Sequence, residues 1–251
     1  MSGPPCRWIS PVIAGLLAFG LGVSGVTARS HDVPPYVPHP ERLEPGARAE
    51  VAAIWTRRTL VRSATAEPAR VPIDLYRLFI DIPEITAAAG RHLGVGKHRV
   101  VRTAADEFDV EDHEGTRAHY RVILRTPTQR VIVARARRTT RVVGEVRGAT
   151  VTVLTLVPGV GSDWQPEIVQ RLESAVRIHH RIVAMIARVL VPLFPSYADR
   201  KIGEVFAIAT RVAAWAAARP DDFCLWLGAQ PDGPRHREVF ARELPACRGL
   251  D

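Results

Sequence analysis

Apolar residues along this chain recur first at helical spacing, then at every second position, then at helical spacing again. ARAEVAAIWTRRTLV, from Ala47 to Val61, keeps the helical period and predicts a short helix that must stop before Pro68 and Pro72. PIDLYRLFIDIPEITAAAG continues in that period, with Pro83 at its centre. Proline has no N–H to donate and its ring collides with the preceding turn, so an interruption or kink is expected there. From Arg99 the period falls to two. Strands are predicted at Arg99–Thr103, Glu107–Val110, Arg117–Arg125, Arg130–Arg137, Val142–Arg147 and Ala149–Val157, with turn chemistry in EDHEG, TPTQ and RGA between them. Connections this short join antiparallel neighbours, which predicts a meander.

EIVQRLESAVRIHHRIVAMIARVL can be laid out as a helix or as a strand followed by a helix. As a strand to Ile178 it puts Ile168, Gln170, Leu172, Ser174, Val176 and Ile178 on one face, and Arg171, Glu173 and Arg177 with Val169 and Ala175 on the other. Every charge then falls on one side, so a strand is predicted, paired with Ala149–Val157 across the loop PGVGSDWQP. A helix follows from about His180, bent or broken at Pro192 and Pro195. Another starts at Ser196, where SYAD supplies a hydroxyl cap, and runs to Pro220 with an apolar stripe of Ile202, Val205, Phe206, Ala209, Val212, Ala213 and Ala216. The predicted class is α+β: an antiparallel meander of about six or seven strands closed by a kinked C-terminal helix, with extra helices before the sheet.

Residues 1–46 contribute nothing to that pattern. Arg7, an apolar run from Val12 to Val23, and small residues ending Val26-Thr27-Ala28 have the layout of a secretory signal peptide cut after Ala28. The competing reading is an N-terminal membrane anchor, since Trp8–Val26 approaches the roughly 20 apolar residues of a spanning helix; Pro11 and the glycines at 15, 20, 22 and 25 weaken it. Residues 29–46 are proline-rich and aperiodic, which predicts an extended linker. A single α+β domain is expected over 47–251, with 221–251 as its tail. Export places the protein in the periplasm or outside the cell. There Cys224 and Cys247, the two cysteines left after cleavage, are expected to form a disulfide that staples the tail to a helix end.

The formal charge of +8, from 34 Lys and Arg against 26 Asp and Glu, favours anionic surfaces such as acidic lipid headgroups. The basic residues are scattered and no nucleic-acid motif accompanies them, so nucleic acid is not an expected partner. Many arginines fall within strands. Arg121, Arg125, Arg135 and Arg137 alternate with Tyr120, Val122, Leu124, Ile132, Ala134 and Ala136. A one-sided sheet would turn them to solvent on its convex side, facing Glu145, Glu173 and one another.

DLYRLFIDIPEITAAAGRHLGVGKHRVV leading into the sheet, YRVILRTPTQRVIVARARR within it and VQRLESAVRIHHRIVAMIARVLVP closing it together resemble the START-like helix-grip superfamily of lipid-transfer proteins and polyketide-cyclase relatives, over roughly Ile73 to Pro220. Two features depart from that family: no opening strand is predicted before Ile73, and the helices at Ala47–Val61 and Ser196–Arg219 have no counterpart. The resemblance implies a cavity between the concave sheet face and the closing helix that takes a hydrophobic small molecule or lipid. Its lining would come from Tyr120, Val122, Leu124, Ile132, Leu154, Leu156, Leu172 and Val176, with His179 at the mouth; a filled core is the alternative.

Catalytic chemistry is weakly signalled. His179 and His180 are the weak candidates for a general base, but adjacent residues diverge in direction, and a polar helix start explains the pair better. DEFDVEDHEG gathers carboxylates around His113 without the spacing of a calcium loop, and His92 and His98 flank LGVGK without a zinc motif. GVGK lacks the spacing of a phosphate loop, and Ser162 lacks a nucleophile elbow. No metal or cofactor is therefore expected. The reading that results is an exported carrier of a hydrophobic ligand, more binding protein than enzyme. A cyclase- or hydrolase-like enzyme and an envelope adaptor without a cavity are the alternatives.

Overall fold

The computed structural model describes residues 32–141, 143–185 and 195–248, over 195–205 by the backbone alone. The predicted signal or anchor and the predicted break between Pro192 and Pro195 fall outside these residues. Seven antiparallel strands form one open sheet in the order β1-β7-β6-β5-β4-β3-β2. They are β1 (Leu60–Thr65), β2 (Arg99–Ala104), β3 (Glu107–Glu111), β4 (Arg117–Arg125), β5 (Gln129–Thr140), β6 (Gly144–Val160) and β7 (Pro166–Ile178). Helix α1 (Pro45–Thr56) precedes the sheet. Helices α2 (Ile73–Asp81) and α3 (Pro83–His92) lie between β1 and β2, and α4 (Pro195–Ala218), α5 (Pro220–Gly228) and α6 (Gly233–Phe240) follow β7. This is the helix-grip arrangement: a meander whose first and last strands are neighbours, gripped by a long C-terminal helix.

The two sheet faces carry separate cores. Even-numbered Leu154, Leu156 and Ile168 join Tyr76 and Phe79 of α2, Phe206, Val212 and Ala213 of α4, and Phe223 and Leu227 of α5. Odd-numbered Val131, Val133, Val151, Val153 and Ala175 pack beneath Val51 and Ile54 of α1. A strand that buries both its faces cannot show solvent-side polarity along its whole length. That is why the middle of β6, TVTVLTLV, is nearly all carbon and hydroxyl.

Several expectations need correction. An opening strand does precede Ile73: it is β1, which pairs with β7 from Leu60↔Val176 to Thr65↔Arg171. It was hidden at the end of the predicted first helix, which in fact stops at Thr56. The predicted strands Val142–Arg147 and Ala149–Val157 are one strand, β6, so RGA is no turn. Gly148 continues the ladder opposite Ile178, and a Cβ there would come within 3.2 Å of the Arg177 carbonyl. Within residues 29–46, expected to be an extended linker, Val33, Val37 and Leu43 join the α1-side core. Tyr36 there stands edge-on to Trp55, with ring centroids 6.0 Å apart.

Other expectations hold. β7 is a strand, with its charges on one face as the alternation required. Pro83 separates α2 from α3 at Ile82. The chain after Pro220 folds as α5, α6 and a final 3-10 turn at Pro245–Cys247, and Cys224 is disulfide-bonded to Cys247 with Cα atoms 4.9 Å apart. Phe223, Leu227, Phe240 and Leu244 come with it into the α4-side core.

Candidate functional site

The residues predicted to line a cavity divide among three places. Leu154 and Leu156 are buried in the α4-side core, and Leu172 packs against it. Tyr120, Val122, Ile132 and Val176 share that face but are only half-buried, together with Ala134, Thr150 and Thr152 between them. Register confirms the grouping: Tyr120 lies opposite Ala134, Val122 opposite Ile132, and Thr150 opposite both Ala134 and Val176. These side chains form a strip across β4 to β7 that the core of α2, α4 and α5 leaves uncovered. Leu124 is not part of it. A register shift between Val122 and Leu124 places Leu124 opposite Val131, so it is buried on the α1 side instead.

The strip has a polar edge. The Tyr120 ring stacks on Phe108 at 4.9 Å, and the Arg102 guanidinium lies over Phe108 at 4.7 Å. Burial, with Glu84 nearby, pushes the Tyr120 hydroxyl well above the usual phenol range, so it stays a protonated donor. Thr152 and Ser174 hydroxyls meet at 2.8 Å across β6 and β7. Towards α4, the buried Gln170 donates from Nε2 to the Thr210 hydroxyl at 3.4 Å, and the Tyr76 hydroxyl is also 3.4 Å from that oxygen. An apolar strip with hydroxyls at its borders can hold a mostly carbon ligand and orient a few polar atoms of it.

The same bulge that moves Leu124 turns Arg125 towards α2. Arg125 pairs with both Asp81 and Asp106, and its cross-strand neighbour Arg130 also binds Asp81, while Arg102 binds Glu84 of α3 at 2.8 Å. Three strand arginines thus hold the α2–α3 junction against the sheet. The expectation that Arg125 faces solvent is corrected accordingly. Arg121 and Arg135 do lie on the opposite face, but that face is not bare: both bind Glu50 of α1, at 3.0 and 2.6 Å. Pairing an arginine in a strand with a carboxylate in the covering helix leaves no mark in strand periodicity, which is why it was missed.

His179 is also displaced from its predicted position. Its N–H donates to the Arg147 carbonyl at 2.9 Å, and its side chain borders a trough on the α1 side, away from the strip. His180 receives the Val183 N–H at Nδ1 and so caps the helical segment 181–185. The two histidines therefore do not converge. His92 lies between Trp215 and Trp226, each 5.5 Å away, and Asp112 Oδ1 takes the N–H groups of Glu114 and Thr116 to close the acidic hairpin. Among the described residues, no group of three His, Cys, Asp or Glu side chains is placed to hold a metal.

The trough has a volume of about 770 Å³ and is open to solvent. Glu50, Ala53 and Ile54 of α1 form one wall. Its floor is the end of the sheet that carries Arg99, Arg117, Arg137 and Arg147, with Val101, His119 and Ala149 in the next rank.

No protein-family model and no curated protein matches the chain. Among solved structures, a Rhizobium leguminosarum protein overlaps 62% of this chain and 97% of its own, at 11% identity and a TM-score of 0.38. The di-domain ARO/CYC StfQ of the steffimycin biosynthetic pathway overlaps 68% of this chain and 57% of its own, at 14% identity and a TM-score of 0.34. Ara h 8.0201 overlaps 62% and 99%, at 11% identity and 0.34. No function is read across overlaps this loose; the fold assignment rests on the strand order and gripping helix described above.

Proposed function

We propose that the protein is an exported, non-catalytic carrier of a hydrophobic molecule, a lipid in the first instance, held between the sheet and the C-terminal helices. The observation that carries this reading is the strip of Val122, Ile132, Ala134 and Val176, half-buried carbon beside the packed core of Leu154, Leu156 and Ile168 on the same face. Apolar surface left partly open to water is costly there, and a hydrophobic ligand would cover it. The Cys224–Cys247 disulfide supports export, because such bonds persist in oxidising compartments. Contact with an anionic membrane leaflet would suit a carrier that exchanges lipid, and the positive charge favours it.

Organic extraction of the purified protein followed by mass spectrometry tests the reading, with fluorescent fatty-acid uptake measured alongside. A hydrophobic molecule should be recovered from the wild type. Ile132→Trp, which fills the strip, should lose both recovery and uptake while its circular dichroism is unchanged. An empty extract together with no uptake would overturn the proposal.

A further inference from the structure

On the α1 side, the strands carry a rank of charged residues in direct register: Arg99 opposite Glu111, Glu111 opposite Arg117, Arg117 opposite Arg137, and Arg137 opposite Arg147. Arg177 follows in the adjacent rank, paired with Ala149. Three successive strands therefore present arginine to arginine. Like charges at directly opposed positions repel at a Cβ separation of about 5 Å, an arrangement that destabilises a sheet unless something neutralises it.

The protein's own carboxylates do so only in part. Arg117 is taken by Glu111 at 3.1 Å, Arg135 by Glu50 at 2.6 Å and Arg147 by Glu145 at 2.5 Å, while His119 takes Asp109 at 2.9 Å. Arg99, Arg137 and Arg177 have no carboxylate partner among the described residues. All three line the trough, whose walls hold six arginines against the three carboxylates Glu50, Asp109 and Glu111. A volume of about 770 Å³ admits a molecule far larger than a single ion. Ala53, Ile54, Val101 and Ala149 offer carbon beside the charge.

We propose that this trough is a binding site for a phosphate-bearing ligand, with Arg137 at its centre and Arg99 and Arg177 at its flanks. Guanidinium groups bind phosphate oxygens by paired, charge-assisted hydrogen bonds. Three uncompensated cations match a group of two or more negative charges; one carboxylate would leave most of the repulsion in place. The site is separate from the strip on the opposite face and does not depend on that face holding a ligand.

Calorimetric titration of the purified protein with pyrophosphate, and flotation with phosphatidic acid vesicles against phosphatidylcholine vesicles, test the site. Arg137→Ser and Arg177→Ser should each weaken binding about tenfold, as expected for loss of one charge-assisted pair. Arg211→Ser, an exposed arginine on α4, should leave it unchanged. Binding of pyrophosphate supports a soluble phosphate ligand, and binding confined to phosphatidic acid supports a lipid headgroup. Absence of both, or equal losses in Arg137→Ser and Arg211→Ser, overturns the proposal. Ligand-free Arg137→Ser should melt at or above the wild-type temperature, because a repulsion is relieved. A melting temperature several degrees lower would show that Arg137 is a structural residue, which also overturns it.

Discussion

Asp81 grips Arg130 at two points, Nε to Oδ1 and Nη2 to Oδ2, both at 2.7 Å. The guanidinium also donates through Nη1 to the carbonyls of Thr126 and Gln129, so its planar fork is used on both sides. Arg130 is nearly inaccessible, its side chain only 4% exposed, and it lies where the last turn of α2 meets the β4–β5 end of the sheet. The pair fixes how the helical layer sits on the strands.

Removal of one partner would leave a buried ion without its counter-charge. Asp81→Ala is expected to lower stability by about 3–5 kcal/mol, measured by urea unfolding. Arg130→Lys should not restore the wild type, because an ammonium cannot make the two-point contact. The double variant Asp81→Ala/Arg130→Met should be more stable than Asp81→Ala alone. If Asp81→Ala unfolds at the wild-type midpoint, the clamp does not hold the layers together.

Gly90 on α3 faces Ile208 on α4 so closely that a Cβ at residue 90 would lie 2.7 Å from the Ile208 γ-methyl. Gly96 makes the same demand from the following loop, at 2.9 Å from Ile208 Cδ1. Gly90→Ala should therefore destabilise by about 1–3 kcal/mol through overpacking, despite alanine's advantage in a helix. In an Ile208→Ala background the same substitution should be neutral or stabilising. An equal loss in both backgrounds would mean that the helices are not in the contact described.

How much of this was legible in the sequence depends on whether an interaction leaves a period. The β7 assignment was recoverable because one face of that strand keeps every charge. Pro83 marked the α2–α3 break through covalent geometry alone. β1 was not recoverable: LVRSAT is short, follows a helical pattern without an intervening proline or glycine, and gains its stability from β7, far away in sequence. The β4 bulge was equally silent, since YRVILR alternates well enough to suggest that Tyr120, Val122 and Leu124 share a face. One inserted residue sends Leu124 to the α1 core and Arg125 to Asp81, altering the candidate site at both ends. The proline-rich stretch misled for another reason. Prolines deny it secondary structure but do not prevent Val33, Val37 and Leu43 from being buried.

The Cys224–Cys247 bond closes a loop containing the second half of α5, α6 and the final turn, with 23 residues of sequence separation. Cross-linking a loop of this size removes chain entropy from the unfolded state worth about 3 kcal/mol. Reduction, or Cys224→Ser, should lower the melting temperature and expose the chain beyond α4 to proteolysis first. Phe240 of that loop, and Phe223 immediately before Cys224, contact Phe79, with ring centroids at 5.1 and 5.5 Å. Loss of the loop should therefore weaken α2 as well, visible as faster amide exchange there. Unchanged melting on reduction would show that packing alone secures the tail.

Tyr36 provides a pH test of whether residues 32–44 belong to the fold. Its hydroxyl is pushed up from 10.0 to about 12, chiefly by burial and secondly by the nearby Glu173, with Arg58 opposing. A tyrosine whose folded pKa lies above its unfolded value contributes fully below pH 10. Between pH 10 and 12 the unfolded chain ionises and the folded one does not, so stability falls as pH rises through that window. Tyr36→Phe removes the ionisation, and its stability should decline less steeply than the wild type's from pH 10 to 12 in urea titrations at each pH. If the two curves run parallel across that range, Tyr36 is as solvated in the folded protein as in the unfolded one, and the proline-rich stretch does not cover the sheet.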